Sequence, residues 1–407
     1  MTYAEAVQYL YSLGNEIQTA KFDLERITKV LEALGNPQNA CRFVHVAGTN
    51  GKGSTSAMIE SGLRAAGAAT GLYTSPHLIE PTERIQIGGK PVSPEQFAAA
   101  FEEVHAAAEK LRLDFHPTYF ESVTTMAFLL FRAAAVETAV LEVGMGGTLD
   151  ATNVVHPRLC VITPVDFDHQ AFLGDTIEQI AGEKAGILKP GVPAVFAEQR
   201  PEAEKVFIAR AQGPYIMTRD WPVANLQTNA LCSRFEVGGM EVECPLAGEH
   251  QVENARTAAI ALRELGYSPA GIAQTRWPGR LEHLKASGGP EILLDGAHNI
   301  AGARALAKYL RRFYAGRRLW MVFGVMRDKA AMEIGALLFP LAHRVILTRP
   351  ANSRAMTPDL IPAPGAILTD NVEEALLAAR QAADPEDVVL ITGSLYVVGE
   401  ARAVLVE

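Results

Sequence analysis

A glycine-rich turn with one lysine and two hydroxyl residues stands where an apolar run meets a helical pattern. Residues 43–47 form the apolar run, and Gly48-Thr49-Asn50-Gly51-Lys52-Gly53-Ser54-Thr55 follows it. In such a turn the glycines let backbone N–H groups converge on a phosphate, the helix start adds its positive dipole end, and a lysine adds a charge. The sequence therefore predicts a nucleotide phosphate site, with Lys52 on the phosphates and Ser54 on a bridging Mg²⁺.

This turn departs from the general Walker pattern. That pattern carries a glycine where this chain has Val46, and a Ser or Thr directly after the lysine, where this chain has Gly53. An ordinary strand-to-helix turn is the alternative interpretation. The agreement of strand, glycines, lysine, hydroxyl and helix favours the phosphate site.

Three further polar clusters follow predicted strands. They are Thr74-Ser75-Pro76-His77, Glu142 with the glycine-rich run 143–147, and Asp166-Phe167-Asp168-His169. Ligands bind at the carboxyl ends of strands in open α/β sheets, so these clusters are candidates for one site. Glu142 lies in an apolar run, and because a buried charge needs a partner or a metal, we predict a metal-binding or catalytic role. His169, beside two aspartates, is a candidate ligand, with a structural histidine as the alternative.

The segment 175–189 has the start signal and the closing glycine of a helix. Glu183 and Lys184 lie near the end of this helix. Their spacing alone indicates two surface charges.

Predicted strands and helices alternate along the chain, and these elements must position the candidate site residues. Short apolar runs separated by helical patterns are typical of a parallel sheet with helices on both faces. The predicted strands and helices of the first series are strands 43–47, 69–73, 138–143, 158–163 and 192–197 and helices 54–66, 94–111, 120–135, 176–187 and 250–265. Residues 78–92 are predicted as a loop. Residues 232–244 are predicted as a hairpin around Gly238-Gly239 that adds an antiparallel patch to the sheet edge.

A second alternating series follows a proline- and glycine-rich stretch at 268–290. It predicts a smaller α/β domain, with strands 291–294, 319–323, 344–348 and 388–392 and helices 301–313, 329–338 and 372–383.

Composition excludes several classes of protein. The 407 residues are 48% hydrophobic and 20% charged, which is typical of a soluble globular protein of two domains. The net charge of −9 argues against nucleic acid as a partner. We expect neither a signal peptide nor a membrane span. The cysteines, which have no close CxxC spacing, are expected to be free thiols of a cytoplasmic protein.

Together, these motifs resemble those of the folylpolyglutamate synthase/dihydrofolate synthase family, within the Mur ligase group. The motifs named so far are joined by Glu83-Arg84-Ile85, Phe120-Glu121, Leu149-Asp150-Ala151-Thr152-Asn153, Leu173-Gly174-Asp175-Thr176, Glu183-Lys184-Ala185-Gly186, His250-Gln251-Val252-Glu253-Asn254-Ala255, Trp277-Pro278-Gly279-Arg280-Leu281-Glu282, Asp295-Gly296-Ala297-His298-Asn299 and Gly393-Ser394-Leu395-Tyr396. The resemblance runs in order along nearly the whole chain. It departs at Pro164, Val165 and Phe167, where the family carries an Ile-Gly type sequence.

The resemblance implies a fold and a domain division. It predicts an N-terminal P-loop, Mur-ligase-like ATPase domain with a parallel sheet over residues 1–276. A linker at 277–289 would join it to a smaller C-terminal Rossmann-like α/β domain at 290–407.

The resemblance also implies a reaction. A dihydropteroate or folate carboxylate would take the γ-phosphoryl group of ATP, and the amine of L-glutamate would attack the resulting acyl phosphate. We predict a monomeric enzyme that both makes dihydrofolate and lengthens the glutamate tail. One alternative is a Mur-type cell-wall precursor ligase, although those usually carry a further domain ahead of the phosphate loop. The other is a non-catalytic nucleotide-binding regulator, which would not need a second metal cluster.

Roles for individual residues follow from the same resemblance. The predicted ATP contacts are Thr49, Asn50, Gly51, Lys52, Gly53, Ser54, Asn254, Arg280, Asp295 and His298. One Mg²⁺ would be held by Ser54, Ser75 and Glu142, and a second by His169 and a carbamate on Lys184. The residues assigned to catalysis are Lys52, Glu142, His169 and Lys184. The predicted pterin and folate contacts are Ser75, His77, Arg84, Phe120 and Asp150.

Overall fold

The computed structural model describes residues 1–14, 23–111, 116–285 and 289–406. The chain forms two compact units. The N-terminal unit comprises Met1–Ala224, Phe235–Val242 and Glu253–Thr275, and the C-terminal unit comprises Asn225–Arg234, Glu243–Val252 and Arg276–Glu407.

The main sheet of the N-terminal unit has eight strands, in the order β4-β3-β2-β5-β1-β6-β7-β8. Its strands are β1 Arg42–Ala47, β2 Thr70–Tyr73, β3 Ile85–Ile87, β4 Lys90–Pro91, β5 Thr138–Glu142, β6 Leu159–Ile162, β7 Ala194–Phe196 and β8 Tyr215–Met217. Every neighbouring pair from β2 to β8 is parallel. The central position of β1 places the turn that follows it at the middle of the carboxyl edge.

Helices cover both faces of this sheet, as the alternating pattern predicted. They are α1 Tyr3–Ser12, α2 Glu25–Ala33, α3 Lys52–Ala65, α4 Pro94–Leu111, α5 Tyr119–Ala133, α6 Gln170–Leu173, α7 Ile177–Lys184, α8 Pro201–Arg210 and α9 Glu249–Glu264. Strands β5 and β6 are buried at every residue. Burial on both faces explains why these strands are continuous apolar runs rather than alternating ones.

The predicted loop at 78–92 was wrong, because the segment contains a hairpin. Strands β3 and β4 are antiparallel to each other, and β3 is antiparallel to β2. The hairpin turn is Gly88-Gly89, with φ values of 58° and 75°. A glycine pair supplies the positive φ that such a short turn requires. The strands are too short for alternation to reveal them, and pairing with β2 stabilises them.

The hairpin around Gly238-Gly239 was predicted correctly, but its place in the sheet was not. Strands β9 Val223–Thr228, β10 Ser233–Val237 and β11 Met240–Cys244 form a separate three-stranded sheet in the order β11-β10-β9. Alternate residues of β10 are buried, so this sheet has one covered face of its own. A small sheet that buries one face does not need the edge of the main sheet.

The C-terminal unit contains a six-stranded sheet in the order β12-β13-β17-β14-β15-β16. Its elements are β12 Glu282–Lys285, β13 Glu291–Leu294, β14 Leu319–Phe323, β15 Arg344–Leu347, β16 Ile367–Leu368 and β17 Val388–Thr392, with helices α10 Ile300–Phe313, α11 Ala331–Leu338, α12 Val372–Ala382 and α13 Leu395–Val406. All pairs are parallel except β12 with β13. This parallel α/β arrangement confirms the predicted fold class.

All four cysteines lie in the described residues and are free thiols. Among the helices of the described ranges, none has the length and apolarity that crossing a bilayer requires.

Candidate active site

The predicted phosphate turn is a loop between β1 and α3, and α3 begins at Lys52. Gly48 and Gly51 have φ values of 146° and 86°. A Cβ on Gly48 would collide with Thr163, and one on Gly51 would collide with the amide of Asn254. Glycine is required at both positions, because other residues would meet backbone strain as well as a clash.

The lysine of this loop folds over its own turn. Lys52 Nζ donates hydrogen bonds to the carbonyl oxygens of Gly48, at 3.2 Å, and Thr49, at 3.3 Å. The Ser54 side chain lies in the first turn of α3 and is buried. The ammonium group is therefore held over the turn in which the sequence predicts a phosphate.

Hydrogen bonds join the segment after β6 to the phosphate loop. The N–H groups of Thr49 and Asn50 donate to the carbonyl oxygen of Pro164, at 3.0 and 3.2 Å. Thr49 Oγ1 donates to the carbonyl oxygen of Asp166 at 3.0 Å and accepts from its N–H at 3.2 Å. Since β1 and β6 are neighbours, these bonds fix two loops at one edge of the sheet.

His169 lies at the far end of that segment, with a φ of 51°. Its N–H donates to Asp168 Oδ1 at 2.9 Å, and its Nε2 lies 3.9 Å from the same oxygen. The side chain of His169 is 29% exposed. The imidazole therefore lies beside a carboxylate and remains accessible to a ligand.

Glu142 is the last residue of β5 and pairs in register with Val46 of β1. Its side chain is buried, as its apolar neighbours predicted. Glu142 Oε2 accepts a hydrogen bond from the N–H of Ser75 at 3.2 Å. Two of the polar clusters predicted at strand ends therefore meet at this carboxylate.

Lys184 is buried, so the interpretation of a surface charge was wrong. Lys184 lies in the last turn of α7 and is only 4% exposed. Burial, together with the positive charge of Lys52, lowers the pKa of Lys184 to about 7, although Asp168 and Asp150 favour the charged form. A substantial share of this amine is therefore uncharged near neutral pH.

The loop that follows β5 packs against the backbone at the end of α7, where Lys184 lies. Thr148 donates to the carbonyl oxygen of Glu183 from its N–H, at 3.0 Å, and from its Oγ1, at 3.1 Å. A Cβ on Gly147 would lie 2.6 Å from that oxygen and 3.0 Å from Lys184 Cα. The glycine allows the loop backbone to lie against the end of α7 and cover the lysine.

This contact gives a testable prediction. Gly147→Ala should lower the free energy of unfolding by about 1–3 kcal/mol, because the new methyl group meets backbone atoms that cannot move aside cheaply. It should also lower the rate of the predicted ATP-dependent reaction about tenfold or more, since Lys184 is displaced. Chemical denaturation and steady-state rates measure the two effects.

The matched control is Gly182→Ala. Gly182 lies in the same helix, and a Cβ there meets nothing within 4 Å. Alanine should raise the free energy of unfolding by up to about 1 kcal/mol through helix propensity. A Gly147→Ala variant as stable as the wild type would contradict the proposed packing.

The Asp150 carboxylate accepts hydrogen bonds from the backbone of the same loop. Its Oδ2 accepts from the N–H groups of Gly144 and Met145, both at 3.0 Å, and its Oδ1 accepts from the N–H of Thr152 at 3.0 Å. Burial raises the pKa of Asp150, which these hydrogen bonds oppose. Phe120 packs closely against Gly144, where a Cβ would lie 2.5 Å from its ring. Asp150 and Phe120 therefore border one loop.

His77 and Arg84 form a second pair from the predicted pterin side. Arg84 Nε donates to His77 Nδ1 at 2.9 Å, so this nitrogen carries the lone pair. Burial and the charge of Arg84 lower the pKa of His77 to about 3. Arg84 is itself buried, and its guanidinium lies 4.9 Å from the ring centroid of Tyr119. His77 is therefore neutral at physiological pH.

The C-terminal unit carries three of the predicted nucleotide contacts: Arg280 lies just before β12, and Asp295 and His298 follow β13. Asp295 accepts from the N–H groups of Leu281 and Ala297, both at 3.0 Å. Burial raises the pKa of Asp295, and the nearby Arg280 opposes that shift. His298 Nδ1 donates to the carbonyl oxygen of Gly296 at 2.8 Å, which leaves Nε2 as the acceptor nitrogen.

The predicted Mg²⁺ ligands agree with the chemistry that this ion prefers. No group of three or more His, Cys, Asp or Glu side chains in the described ranges could hold a metal ion. Mg²⁺ needs no such group, because one carboxylate, hydroxyl groups, water and substrate phosphates satisfy it. Glu142 close to Ser75 supplies a donor set of that kind.

Sequence reasoning missed Gln199 and Arg200, which contact the segment after β6. They follow β7 at the carboxyl edge of the sheet. The rule that ligands bind at strand ends would have drawn attention to them.

Comparison with known proteins agrees with this architecture. The family model of the Mur ligase middle domain matches residues 46–262, and that of the Mur ligase glutamate ligase domain matches residues 279–395. The folylpolyglutamate synthase of Lacticaseibacillus casei is 35% identical over 100% of this chain and 99% of its own length. The dihydrofolate synthase/folylpolyglutamate synthase of Bacillus subtilis is 35% identical over 93% of this chain and 94% of its own length.

Solved structures extend the likeness to the fold. Mycobacterium tuberculosis folylpolyglutamate synthase, complexed with ADP and AMPPCP, superposes with a TM-score of 0.89 and 32% identity, over 100% of this chain and 99% of that one. Escherichia coli FolC, in complex with DHPP and ADP, has a TM-score of 0.88 and 31% identity, over 99% of this chain and 97% of that one. The chain therefore belongs to the folylpolyglutamate synthase/dihydrofolate synthase family, a group of ATP-dependent ligases with the Mur ligase fold.

Proposed function

We propose that this chain joins L-glutamate both to dihydropteroate and to reduced folates, through an acyl phosphate made with ATP. The observation that carries the proposal is the meeting of three groups at one edge of the main sheet. These groups are the phosphate loop with Lys52, Glu142 beside Ser75, and the buried Lys184. The Bacillus subtilis relative bears both activities in its name, and the Escherichia coli structure contains DHPP with ADP.

The chemistry requires that a carboxylate become reactive towards an amine. A carboxylate repels a nucleophile and has no good leaving group, and transfer of the γ-phosphoryl group supplies one. Lys52 holds the phosphates of ATP and neutralises charge on the transferring group. The other proposed nucleotide contacts of the N-terminal unit are Thr49, Asn50, Gly51, Gly53, Ser54 and Asn254. Arg280, Asp295 and His298 of the C-terminal unit stay predicted nucleotide contacts.

Two divalent ions are part of the proposal. Ser54, Ser75 and Glu142 would hold one Mg²⁺, and His169 with a modified Lys184 would hold a second. Bound Mg²⁺ supplies charge neutralisation at the phosphoryl group. The Glu142 carboxylate itself accepts a hydrogen bond from the N–H of Ser75 and so joins the ends of β5 and β2 at this edge of the sheet.

The modification of Lys184 is a carbamate. An ammonium group cannot bind a cation, whereas an uncharged amine attacks CO₂, forms an N–C bond and releases one proton. The product is an anionic oxygen ligand of the kind that Mg²⁺ prefers. Burial, which lowers the pKa of Lys184 to about 7, supplies the uncharged amine.

The pterin side would be lined by Ser75, His77, Arg84, Phe120 and Asp150. Asp150 orders the loop through its hydrogen bonds, and the neutral His77 offers a ring without a charge. We further propose that the enzyme is a cytoplasmic monomer acting only on small molecules, with an ATPase domain at 1–276, a linker at 277–289 and a ligase domain at 290–407.

Product analysis tests the proposal. The protein receives ATP, Mg²⁺ and L-glutamate with either dihydropteroate or tetrahydrofolate, and mass spectrometry identifies the products. We expect one glutamate added to each acceptor and one ADP released per addition. A nucleotide-linked muropeptide acid serves as the negative control. ADP release that needs neither acceptor, or no release with both, would rule out the ligase, and a product from one acceptor alone would rule out the dual activity.

A further inference from the structure

The connection between β7 and α8 lies beside the segment that follows β6. Strand β7 ends at Phe196 and α8 begins at Pro201, so residues 197–200 form the connection. Ile162 of β6 pairs in register with Phe196. The connection therefore lies next to the segment 163–169, which carries His169.

The side-chain amide of Gln199 forms hydrogen bonds to the beginning of that segment through both its oxygen and its nitrogen. Its Oε1 accepts from the N–H of Val165 at 3.0 Å. Its Nε2 donates to the carbonyl oxygens of Thr163, at 3.1 Å, and Ile162, at 3.4 Å. A primary amide has both an acceptor and two donors, so glutamine satisfies all three backbone groups where an acid or an apolar residue could not.

Arg200 holds the middle of the same segment. Its NH1 donates to Asp166 Oδ1 at 2.9 Å, and its guanidinium lies 5.5 Å from the ring centroid of Phe167. The backbone of Asp166 is in turn bonded to Thr49 in both directions. Arg200 is therefore linked to Thr49 of the phosphate loop through one intervening residue, Asp166.

Glu198 makes a third connection, to α9. Its Oε2 accepts from Arg256 NH2 at 3.2 Å, and the side chain of Arg256 is only 7% exposed. Arg256 lies half a turn along α9 from Asn254, whose amide lies against Gly51. Gln199 and Arg200 therefore contact the segment after β6, and Glu198 contacts α9; both of these elements border the phosphate loop.

We propose that the segment 198–200 is a positioning clamp for the ATP site, with Gln199 as its principal residue. The clamp fixes the loop that carries His169 and, through Thr49, the conformation of the phosphate loop. Its residues do not touch the reacting atoms; they act on the residues that do. The role in catalysis rests on the proposed ligase function, whereas the effect on nucleotide binding does not.

Variants of Gln199 test the clamp. Gln199→Met keeps the length of the side chain but removes all three hydrogen bonds, and Gln199→Ala removes length as well. For both, we expect the Kd of AMPPCP with Mg²⁺ to rise about fivefold or more and kcat to fall about ten- to a hundredfold, because small displacements of binding groups are costly. The KM for glutamate should stay within about twofold of the wild type.

The matched control is Gln212→Ala. Gln212 is exposed two residues beyond the end of α8, and its backbone carbonyl accepts a hydrogen bond from the N–H of Gly191. Arg200→Ala is compared in the same way with Arg210→Ala, an exposed arginine of α8. The controls should bind AMPPCP like the wild type.

Two outcomes would overturn the clamp. One is an unchanged Kd for AMPPCP in both Gln199 variants, measured by calorimetry. The other is a lower melting temperature with unchanged kcat and KM per active molecule, which would mean a structural role alone. A wild-type protein that binds nucleotide but joins no glutamate would instead contradict the proposed function and leave the binding comparison intact.

Discussion

Lys184→Ala is expected to lose glutamate addition by about 10²–10³-fold or more, while ATP binding persists. The proposed carbamate would supply an anionic oxygen ligand for Mg²⁺, and alanine removes it. Lys52 and the phosphate loop, rather than Lys184, are proposed to hold the phosphates, so nucleotide binding should remain. Product formation and calorimetry with AMPPCP measure the two effects separately.

Lys205→Ala is the control, because Lys205 is an exposed lysine of α8. It should behave like the wild type. Depletion of CO₂ and bicarbonate should lower the activity of the wild type and leave that of Lys184→Ala unchanged. Full activity of Lys184→Ala would refute the carbamate, and mass spectrometry of the native protein should detect the added group directly.

Lys52→Ala is expected to remove phosphoryl transfer, again by about 10²–10³-fold, because no other charge of the loop would neutralise the transferring group. The measurement is ADP release with acceptor and glutamate present. Unlike Lys184→Ala, this variant should also bind AMPPCP more weakly.

Lys52→Arg provides a stricter comparison. It keeps the positive charge, but a planar guanidinium cannot occupy the place of an ammonium that lies 3.2 Å from the Gly48 carbonyl oxygen. We expect it to remain strongly impaired. An unchanged rate of ADP release in Lys52→Ala would exclude Lys52 from the phosphate site.

The elements around the phosphate loop were predictable because the local pattern changes abruptly there. An apolar run, two glycines and a helical pattern follow one another within a short stretch, and the structure places β1, the loop and α3 in that order. The burial of Glu142 was predictable for a similar reason, since a charge between apolar residues of a strand that lies inside a parallel sheet cannot reach water.

Other features could not be predicted from local patterns. Strands β3 and β4 are too short for periodicity to identify them, and they form because β2 offers them an edge. The clamp at Gln199 depends on the neighbouring positions of β6 and β7, which are separated by more than one helix in the chain. Each of these features is a contact between residues far apart in sequence.

Lys52 and Lys184 differ in how far the sequence alone predicts their surroundings. The turn of Lys52 can be recognised in the sequence, because strands, turns and helices arise from hydrogen bonds between near neighbours and from the spacing of apolar residues. The environment of Lys184 cannot, because its burial depends on a loop about forty residues away that packs over the end of α7 through Gly147. Desolvation, which lowers the pKa of that amine, exists only once distant segments have excluded water together.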